Sequence, residues 1–233
     1  MNMEIGVLEL ADGQKPEVEL PAWVCPQADE DNSLFVDNEL MKENYIFSDI
    51  TDIQIEKIIN FEDKIQKVSS AIERIRCSSN EKVQIVRIFA PFSYLARYIN
   101  PYKLYGVEYE QADILKNYLG ILTEELVKYV SSLCEYENIV FSLSDPMGDI
   151  TLCGIDYYLE YCLPYINSFL YNINPFLEKN VVHICGKLSR TLINLGSLKL
   201  SGTYIIEGPS LFYEVTRNPN IKFTGEKCIH VFY

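Results

Sequence analysis

The sequence is poor in histidine and in basic residues, and these shortages exclude several classes of function. Only two histidines occur among 233 residues, so no Ser-His-Asp grouping can be argued. Acidic side chains number 33 against 20 basic ones, which gives a formal net charge of −13. Such a charge does not suit a protein that coats nucleic-acid phosphates or an anionic membrane surface. The segment 186–196 also lacks the spacing of a glycine-rich phosphate loop. A soluble enzyme or a binding domain remains.

Long apolar runs are also missing. The longest apolar stretch, residues 157–171, is interrupted by Glu160, Pro164 and Asn167, whereas a membrane-spanning helix needs roughly 18 consecutive apolar residues. The first residues lack a basic region followed by an apolar one, so we expect no signal peptide. Seven scattered cysteines are an odd number and do not resemble a small disulfide scaffold. We therefore expect a cytoplasmic protein with reduced thiols.

Two spacing patterns of apolar residues alternate along the chain. Apolar residues three and four apart predict helices, and short β-branched runs predict buried strands. Residues 1–50 are expected to form an irregular arm, except for a possible strand at 4–10. The predicted helices cover residues 51–76, 93–99, 109–134, 154–178 (one helix or a pair), 187–195 and 210–217. The predicted strands cover residues 83–89, 138–144, 180–186 and 203–208, with one or two more within 221–233.

This order of strands and helices predicts an α/β fold in a single domain over residues 1–233. Strands that alternate with helices at this spacing form right-handed crossovers and a parallel sheet. In such folds, functional residues gather at the carboxyl ends of the strands. That rule selects residues 90–92, 144–146, 183–185 and the segment around Glu207.

Each histidine lies two residues from a cysteine. His183 and Cys185 share one face of a predicted strand, because side chains alternate along a strand. Cys228 and His230 repeat the pair in reverse order near the end of the sequence. Imidazole and thiolate are preferred zinc ligands. His183, Cys185 and Cys228 would leave one coordination position open, and adding His230 would close the site. Both arrangements remain open, as does a core histidine beside a small buried cysteine.

Three segments together resemble the uroporphyrinogen decarboxylase superfamily, and most closely its cobalamin-linked methyltransferases that act on coenzyme M and similar thiols. The segment 182–186, Val-His-Ile-Cys-Gly, resembles the zinc motif of that branch. The segment 88–97, which contains Ala-Pro-Phe, resembles its "GPF" segment and the following helix. The segment 141–146, which ends in Asp145 and Pro146, resembles its "D-P" strand end, and residues 158–164 resemble the helix that runs into a proline. The likeness covers residues 50–196 in the family's order.

The resemblance implies a TIM-barrel fold with zinc held by His183, Cys185 and a later cysteine, for which Cys228 is the candidate. In that branch zinc keeps an acceptor thiol as thiolate, which takes a methyl group from a methylcorrinoid on a separate corrinoid protein. The chain is short for an eight-stranded barrel, and Cys228 lacks the family's Cys-Gly context. We therefore expect a TIM-barrel-like α/β fold that is reduced or incomplete, with a partner or a second copy completing the barrel.

Two carboxylates at predicted strand ends are further candidates. Asp145 can orient a substrate or transfer a proton, or it can simply form a turn before Pro146. Glu207 is a weaker candidate that could complete a zinc shell. The 17 tyrosines could line a pocket for a flat ligand, although amphipathic packing explains them more simply.

The sequence thus predicts zinc-dependent methyl transfer from a methylcorrinoid to a small thiol. The alternative is a non-catalytic relative that binds a corrinoid, a tetrapyrrole or a partner protein. Neither function involves nucleic acid or a membrane.

Overall fold

A computed structural model describes residues 3–10, 22–24, 45–78, 84–107, 109–206, 218 and 220–226. Glu207, Cys228 and His230, the helix expected at 210–217 and most of the last predicted strands lie outside these residues. None of the helices in the described ranges combines the length and the apolar character that a bilayer crossing needs.

One seven-stranded sheet organises the described chain, and all its strand pairs are parallel. The strands are β1 (Met3–Leu10), β2 (Ala22–Val24), β3 (Gln84–Phe89), β4 (Ile139–Ser144), β5 (Val181–Ile184), β6 (Leu198–Ile206) and β7 (Phe223–Gly225). Their order across the sheet is β2-β3-β4-β5-β7-β1-β6. Strands β2 and β6 are the two edges, so the sheet is not closed. The expectation of a reduced, TIM-barrel-like α/β fold is confirmed.

Helices follow the strands and cover one face of the sheet. They are α1 (Ile55–Ile58), α2 (Glu62–Ser78), α3 (Pro91–Leu95), α4 (Pro101–Tyr105), α5 (Ala112–Leu133), α6 (Ile150–Cys153), α7 (Ile155–Tyr157), α8 (Leu163–Ile173) and α9 (Gly186–Asn194). A π-helix at Tyr158–Cys162 joins α7 to α8. Short 3-10 turns lie at Ile50–Asp52, Tyr109–Gln111 and Asn174–Phe176.

The helices pack on alternate residues of the strands. Val86 and Ile88 of β3, Phe141 of β4, and Val182 and Ile184 of β5 belong to one buried apolar cluster with the helices. Because strand side chains alternate between two faces, the residues between these positions point to the opposite face. We call that opposite face, turned away from the helices, the inner face. It carries His183.

The single helix expected over residues 51–76 was wrong, because the chain leaves the helical conformation after α1. Ile59 ends α1 with φ −91° and ψ 13°, and the backbone N–H of Phe61 donates to the Ile59 carbonyl at 2.7 Å. The break turns Phe61 into the core, where its ring lies 5.3 Å from Tyr94 and 5.4 Å from Tyr129 between centroids. Burial of this ring outweighs the helical periodicity of the sequence.

The segment 154–178 is also divided, and Pro164 supplies the reason. Proline has no backbone N–H and its ring clashes with the carbonyl four residues earlier in an α-helix. The chain accommodates this with a five-residue register, in which the N–H of Leu163 donates to the carbonyl of Tyr158. The π-helix therefore marks the entry to α8.

The N-terminal region contains the strand that was expected at 4–10, as β1, and a second strand, β2, within the part that was expected to be irregular. Strand β1 lies inside the sheet between β7 and β6, and Ile5 is fully buried. Strand β2 pairs with β3 at the edge. Strand β6 begins at Leu198, five residues earlier than predicted, because it pairs with β1 from Met3 onward.

Candidate functional site

His183 and Cys185 occupy the carboxyl end of β5. His183 is 1% exposed, and Cys185 is partly exposed. Cys185 keeps an extended backbone (φ −46°, ψ 137°) immediately before α9 begins at Gly186. Its N–H donates to the carbonyl of Leu143 at 2.8 Å, which extends the ladder between β4 and β5 by one bond. Strand alternation places the side chain of His183 on the inner face, and Cys185 follows one residue beyond the end of β5, where it packs against the apolar cluster.

His183 belongs to a row of polar residues across four neighbouring strands. The strand register places Arg87 opposite Ser142, Ser142 opposite His183, and His183 opposite Thr224. We call these four residues the polar row. Apolar side chains are the rule inside parallel sheets, so a continuous polar row at this depth indicates a binding or reaction site.

The donor chemistry of His183 and Cys185 suits zinc, since neutral imidazole and thiolate are its usual protein ligands. Within the described ranges, however, no group of three or more His, Cys, Asp or Glu side chains could hold a metal ion. Cys228 and His230 lie outside those ranges, so the four-residue ligand set stays a prediction. Strand β7, which precedes both residues in sequence, pairs directly with β5 at His183.

Asp145 follows β4 at the same edge of the sheet and is buried, with 6% exposure. Its Oδ1 accepts hydrogen bonds from the Ser93 hydroxyl group at 2.5 Å and from the Ser93 backbone N–H at 3.2 Å. Within the described residues, its Oδ2 is buried without a hydrogen-bond partner. Burial raises the pKa of the Asp145 carboxyl from 3.8 to about 6, although the bonds from Ser93 oppose that rise. A carboxyl group whose pKa lies this close to neutral pH is suited to proton transfer.

Ser93 is the residue of this site that sequence reasoning missed. It lies in α3, fully buried, and its Oγ also accepts the backbone N–H of Met147 at 2.8 Å. One hydroxyl group therefore joins α3 to the loop after β4. Ser93 and Asp145 are 52 residues apart in sequence, and no local pattern indicates that they meet.

Two cysteines, Cys153 and Cys162, and two tyrosines, Tyr105 and Tyr157, lie close to one another beside the loop that follows β4. The side chains of Cys153 and Cys162 are hydrogen-bonded to each other, and this bond lowers the pKa of Cys153 and raises that of Cys162. The hydroxyl groups of Tyr105 and Tyr157 donate to the carbonyls of Met147, at 2.5 Å, and Leu104, at 2.6 Å. These bonds favour the structural explanation of the tyrosines over a pocket for a flat ligand.

The fold and site define a class before any relative is considered: an incomplete parallel α/β barrel with a histidine and a cysteine at one strand end. Among curated proteins, the chain is 24% identical to the methylcobamide:CoM methyltransferase MtbA of Methanosarcina mazei over 142 residues, which are 59% of this chain and 42% of the relative. The protein of the same name from Methanosarcina acetivorans is 23% identical over 142 residues, 60% of this chain and 42% of the relative. The match thus spans less than half the length of these relatives.

No family model matches the chain. No solved structure matches it either. The distant similarity to the two methyltransferases agrees with the resemblance carried by residues 50–196.

Proposed function

We propose that the protein transfers a methyl group from a methylcorrinoid to a small thiol, with zinc at the end of β5. The observation that carries the proposal is the His183–Cys185 pair at the carboxyl end of β5, in a chain distantly similar to two methylcobamide:CoM methyltransferases. His183 and Cys185 would hold the metal together with Cys228 and, if the site is closed, His230. A bound zinc ion lowers the pKa of a coordinated thiol and so supplies the thiolate nucleophile at neutral pH.

The chain's own residues would prepare the site. Burial fixes His183 between Ser142 and Thr224, so its imidazole would reach a metal without a large loss of side-chain entropy. Asp145 would accept the proton that the acceptor thiol releases, at Oδ2, because Oδ1 is already bonded to Ser93. We propose a separate corrinoid protein as the methyl donor and a second copy of this chain as the candidate to complete the barrel.

Metal analysis tests the first step. Protein prepared with zinc supplied is expected to retain about one zinc per chain, and Cys185→Ser is expected to lose it. Cys77→Ser is the matched control, because Cys77 is an exposed thiol in α2. If the wild-type protein retains no zinc, the proposed metal centre is wrong.

A methyl-transfer assay tests the second step. Zinc-loaded protein is expected to accelerate the demethylation of methylcobalamin by added thiols, which the absorbance change of the corrinoid reports. His183→Ala should abolish this acceleration. In the wild type, the transfer rate should rise with pH near the pKa of the Asp145 carboxyl. Asp145→Asn should retain zinc but show no such rise. A protein that retains zinc but does not accelerate methyl transfer would contradict the proposed enzymatic function.

A second candidate is a non-catalytic relative that binds a corrinoid, a tetrapyrrole or a partner protein. The open sheet and the 42% coverage of the relatives favour it, because a closed barrel normally surrounds the reaction site. Corrinoid binding with no transfer to any thiol would support this candidate. Light scattering of the protein alone, and with a corrinoid protein, would show which assembly forms.

A further inference from the structure

Cys153 and Cys162 bring two thiol groups together beside the loop that follows β4. Cys153 is the last residue of α6, and Cys162 is the last residue of the π-helix that leads into α8. Both cysteines are free thiols, and the thiol of Cys162 donates a hydrogen bond to the sulfur of Cys153. The pair is therefore a reduced dithiol whose sulfur atoms lie within hydrogen-bonding distance of each other.

The two thiols differ in their access to solvent. Cys153 is partly exposed and lies between the exposed side chains of Leu152 and Ile155, whereas Cys162 is fully buried. A reagent in solution can therefore reach the sulfur of Cys153 but not that of Cys162. An accessible thiol next to a protected one is the arrangement of an attacking cysteine and its resolving cysteine.

The hydrogen bond between the thiols determines which sulfur attacks. It is the largest cause that lowers the pKa of Cys153 and the largest that raises the pKa of Cys162. The nearby carboxyl group of Asp145 raises the pKa of both thiols. Because the thiolate is the nucleophile in thiol–disulfide exchange, Cys153 attacks first. Once its sulfur is bound in a mixed disulfide, the main cause that raises the pKa of Cys162 is removed.

The surroundings of Cys153 allow its sulfur to approach Cys162. Gly154 separates α6 from α7 with φ 82° and ψ 159°, a conformation that is essentially restricted to glycine, and a β-carbon there would meet no atom within 4 Å. Sγ of Cys153 lies 3.9 Å from the carbonyl oxygen of Gly148 and 3.6 Å from that of Gly154. A thiol is only a weak donor, so these contacts are easily lost when the side chain moves the short distance to a covalent bond.

We propose that Cys153 and Cys162 form a redox-active dithiol, which a small-molecule disulfide RSSR converts into an intramolecular disulfide. The Cys153 thiolate first attacks one sulfur of RSSR, forms a mixed disulfide and releases RS⁻, which takes up the proton that Cys153 lost. Cys162 then attacks the sulfur of Cys153, and the second RS group leaves as RSH with the proton of Cys162. The protein is oxidised by two electrons, RSSR is reduced to two RSH, and excess thiol reverses both steps.

The proposed disulfide lies next to the loop that contains Asp145. This loop runs into α6 at Asp149, whose carboxylate accepts the backbone N–H of Thr151 at 2.8 Å. A bond from Cys153 to Cys162 joins α6 to the start of α8, so oxidation restrains the loop. The proposal goes beyond methyl transfer and requires neither zinc nor a corrinoid.

Oxidation of the folded full chain in mixtures of reduced and oxidised glutathione tests the pair. After free thiols are blocked, cleavage before aspartate combined with cleavage after lysine and arginine places Cys153 in peptide 149–155 and Cys162 in peptide 156–179, each without another cysteine. Mass spectrometry without reduction is expected to find these two peptides joined. Half-oxidation should need at least tenfold less oxidised glutathione in the folded protein than in urea, because the fold holds the two thiols together.

Variants separate the two steps. Cys162→Ala removes the resolving thiol and is expected to accumulate glutathione on Cys153, at least tenfold more than the wild type does. Cys153→Ser should leave Cys162 as a free thiol. Cys134→Ser is the matched control, because Cys134 lies at the end of α5 and its thiol interacts with Asn180 instead, and this variant should form the disulfide as readily as the wild type. Circular dichroism verifies that each variant is folded.

Two outcomes would overturn the proposal. In the first, the two peptides stay separate in the folded wild type under conditions that place glutathione on the exposed thiol of Cys77. In the second, the pair forms its disulfide no more readily in the folded protein than in urea. Failure of methyl transfer would leave these measurements unaffected.

Discussion

The hydroxyl group of Ser93 donates a 2.5 Å hydrogen bond to Oδ1 of Asp145 while accepting the backbone N–H of Met147. One side chain of α3 therefore holds both the carboxylate and the loop that follow β4. The same edge of the sheet carries the His183–Cys185 pair on the adjacent strand. The geometry of the candidate site thus depends on a helix that contributes no metal ligand.

Ser93→Ala should destabilise the protein by about 1–3 kcal/mol, because it leaves a buried carboxylate and a buried N–H without one bond each. It should also raise the pKa of Asp145, since the bonds from Ser93 favour the charged carboxylate. Urea unfolding measures the first effect. Ser132→Ala is the control, because its hydroxyl group bonds to the Lys128 carbonyl at a solvent-accessible position of α5. If both variants lose the same free energy of unfolding, the hydrogen bonds of Ser93 do not contribute the stability expected of them.

Asp145 should make the stability of the protein fall as the pH rises from 4 to 8. Its pKa is about 6 in the folded protein against a usual value of 3.8, so the folded state binds the proton more tightly. The stabilising contribution is complete below pH 3.8 and is lost as the pH rises through 6. The difference between these two pKa values corresponds to on the order of 3 kcal/mol.

Comparison with Asp145→Asn isolates this contribution, because other carboxyl groups titrate in both proteins. The difference in unfolding free energy between wild type and variant should change by that amount between pH 4 and pH 8, in favour of the wild type at low pH. A difference that is independent of pH would mean that the folded-state pKa is not raised.

Gly148→Ala should be strongly destabilising. A β-carbon at Gly148 would lie 2.6 Å from Cγ of Asp145, and the carboxylate cannot move away without breaking its bonds to Ser93. We expect a loss of at least about 2 kcal/mol, typical of overpacking at a buried site. Gly120→Ala is the matched control, because a β-carbon there meets no atom within 4 Å and Gly120 lies inside α5. That change should stabilise by about 0.5–1 kcal/mol. Thermal unfolding of both variants measures the contrast.

Sequence periodicity correctly predicted the helices and strands whose apolar residues follow a regular local pattern. Helix α5 and strands β3, β4 and β5 fall within two to three residues of the expected bounds, because their apolar patterns match the one helix-covered face of the sheet. The position of His183 at a strand end follows from the same pattern. Its role as a metal ligand, and those of Cys185, Cys228 and His230, stay predictions.

The features that periodicity missed depend on contacts between distant parts of the chain. Strand β2 has only three residues and exists by pairing with β3, some 60 residues later. Phe61 breaks the expected helix because its ring packs against Tyr94 and Tyr129. The Ser93–Asp145 bond likewise forms across 52 residues. A single sequence gives no local sign of such partners.

Cys153 should react with alkylating reagents faster than Cys134 and Cys162. It is partly exposed, and the hydrogen bond from Cys162 lowers its pKa, which raises the fraction of reactive thiolate at neutral pH. Cys162 is fully buried with a raised pKa, and burial raises the pKa of Cys134 to about 12. Brief treatment of the folded protein with iodoacetamide, followed by peptide mass spectrometry, should therefore modify Cys153 well before Cys134 and Cys162.

The variant Cys162→Ala separates the effect of the hydrogen bond from that of exposure. Loss of the donor should raise the pKa of Cys153 and slow its alkylation near pH 7 by several-fold, while at pH 10 the two proteins should react at similar rates. The exposed thiol of Cys77 serves as an internal reference in the same digest, because it lies in α2 and has no contact with this pair. If Cys153 reacts equally fast in the variant at pH 7, exposure alone explains its reactivity and the thiol–thiol bond plays no part.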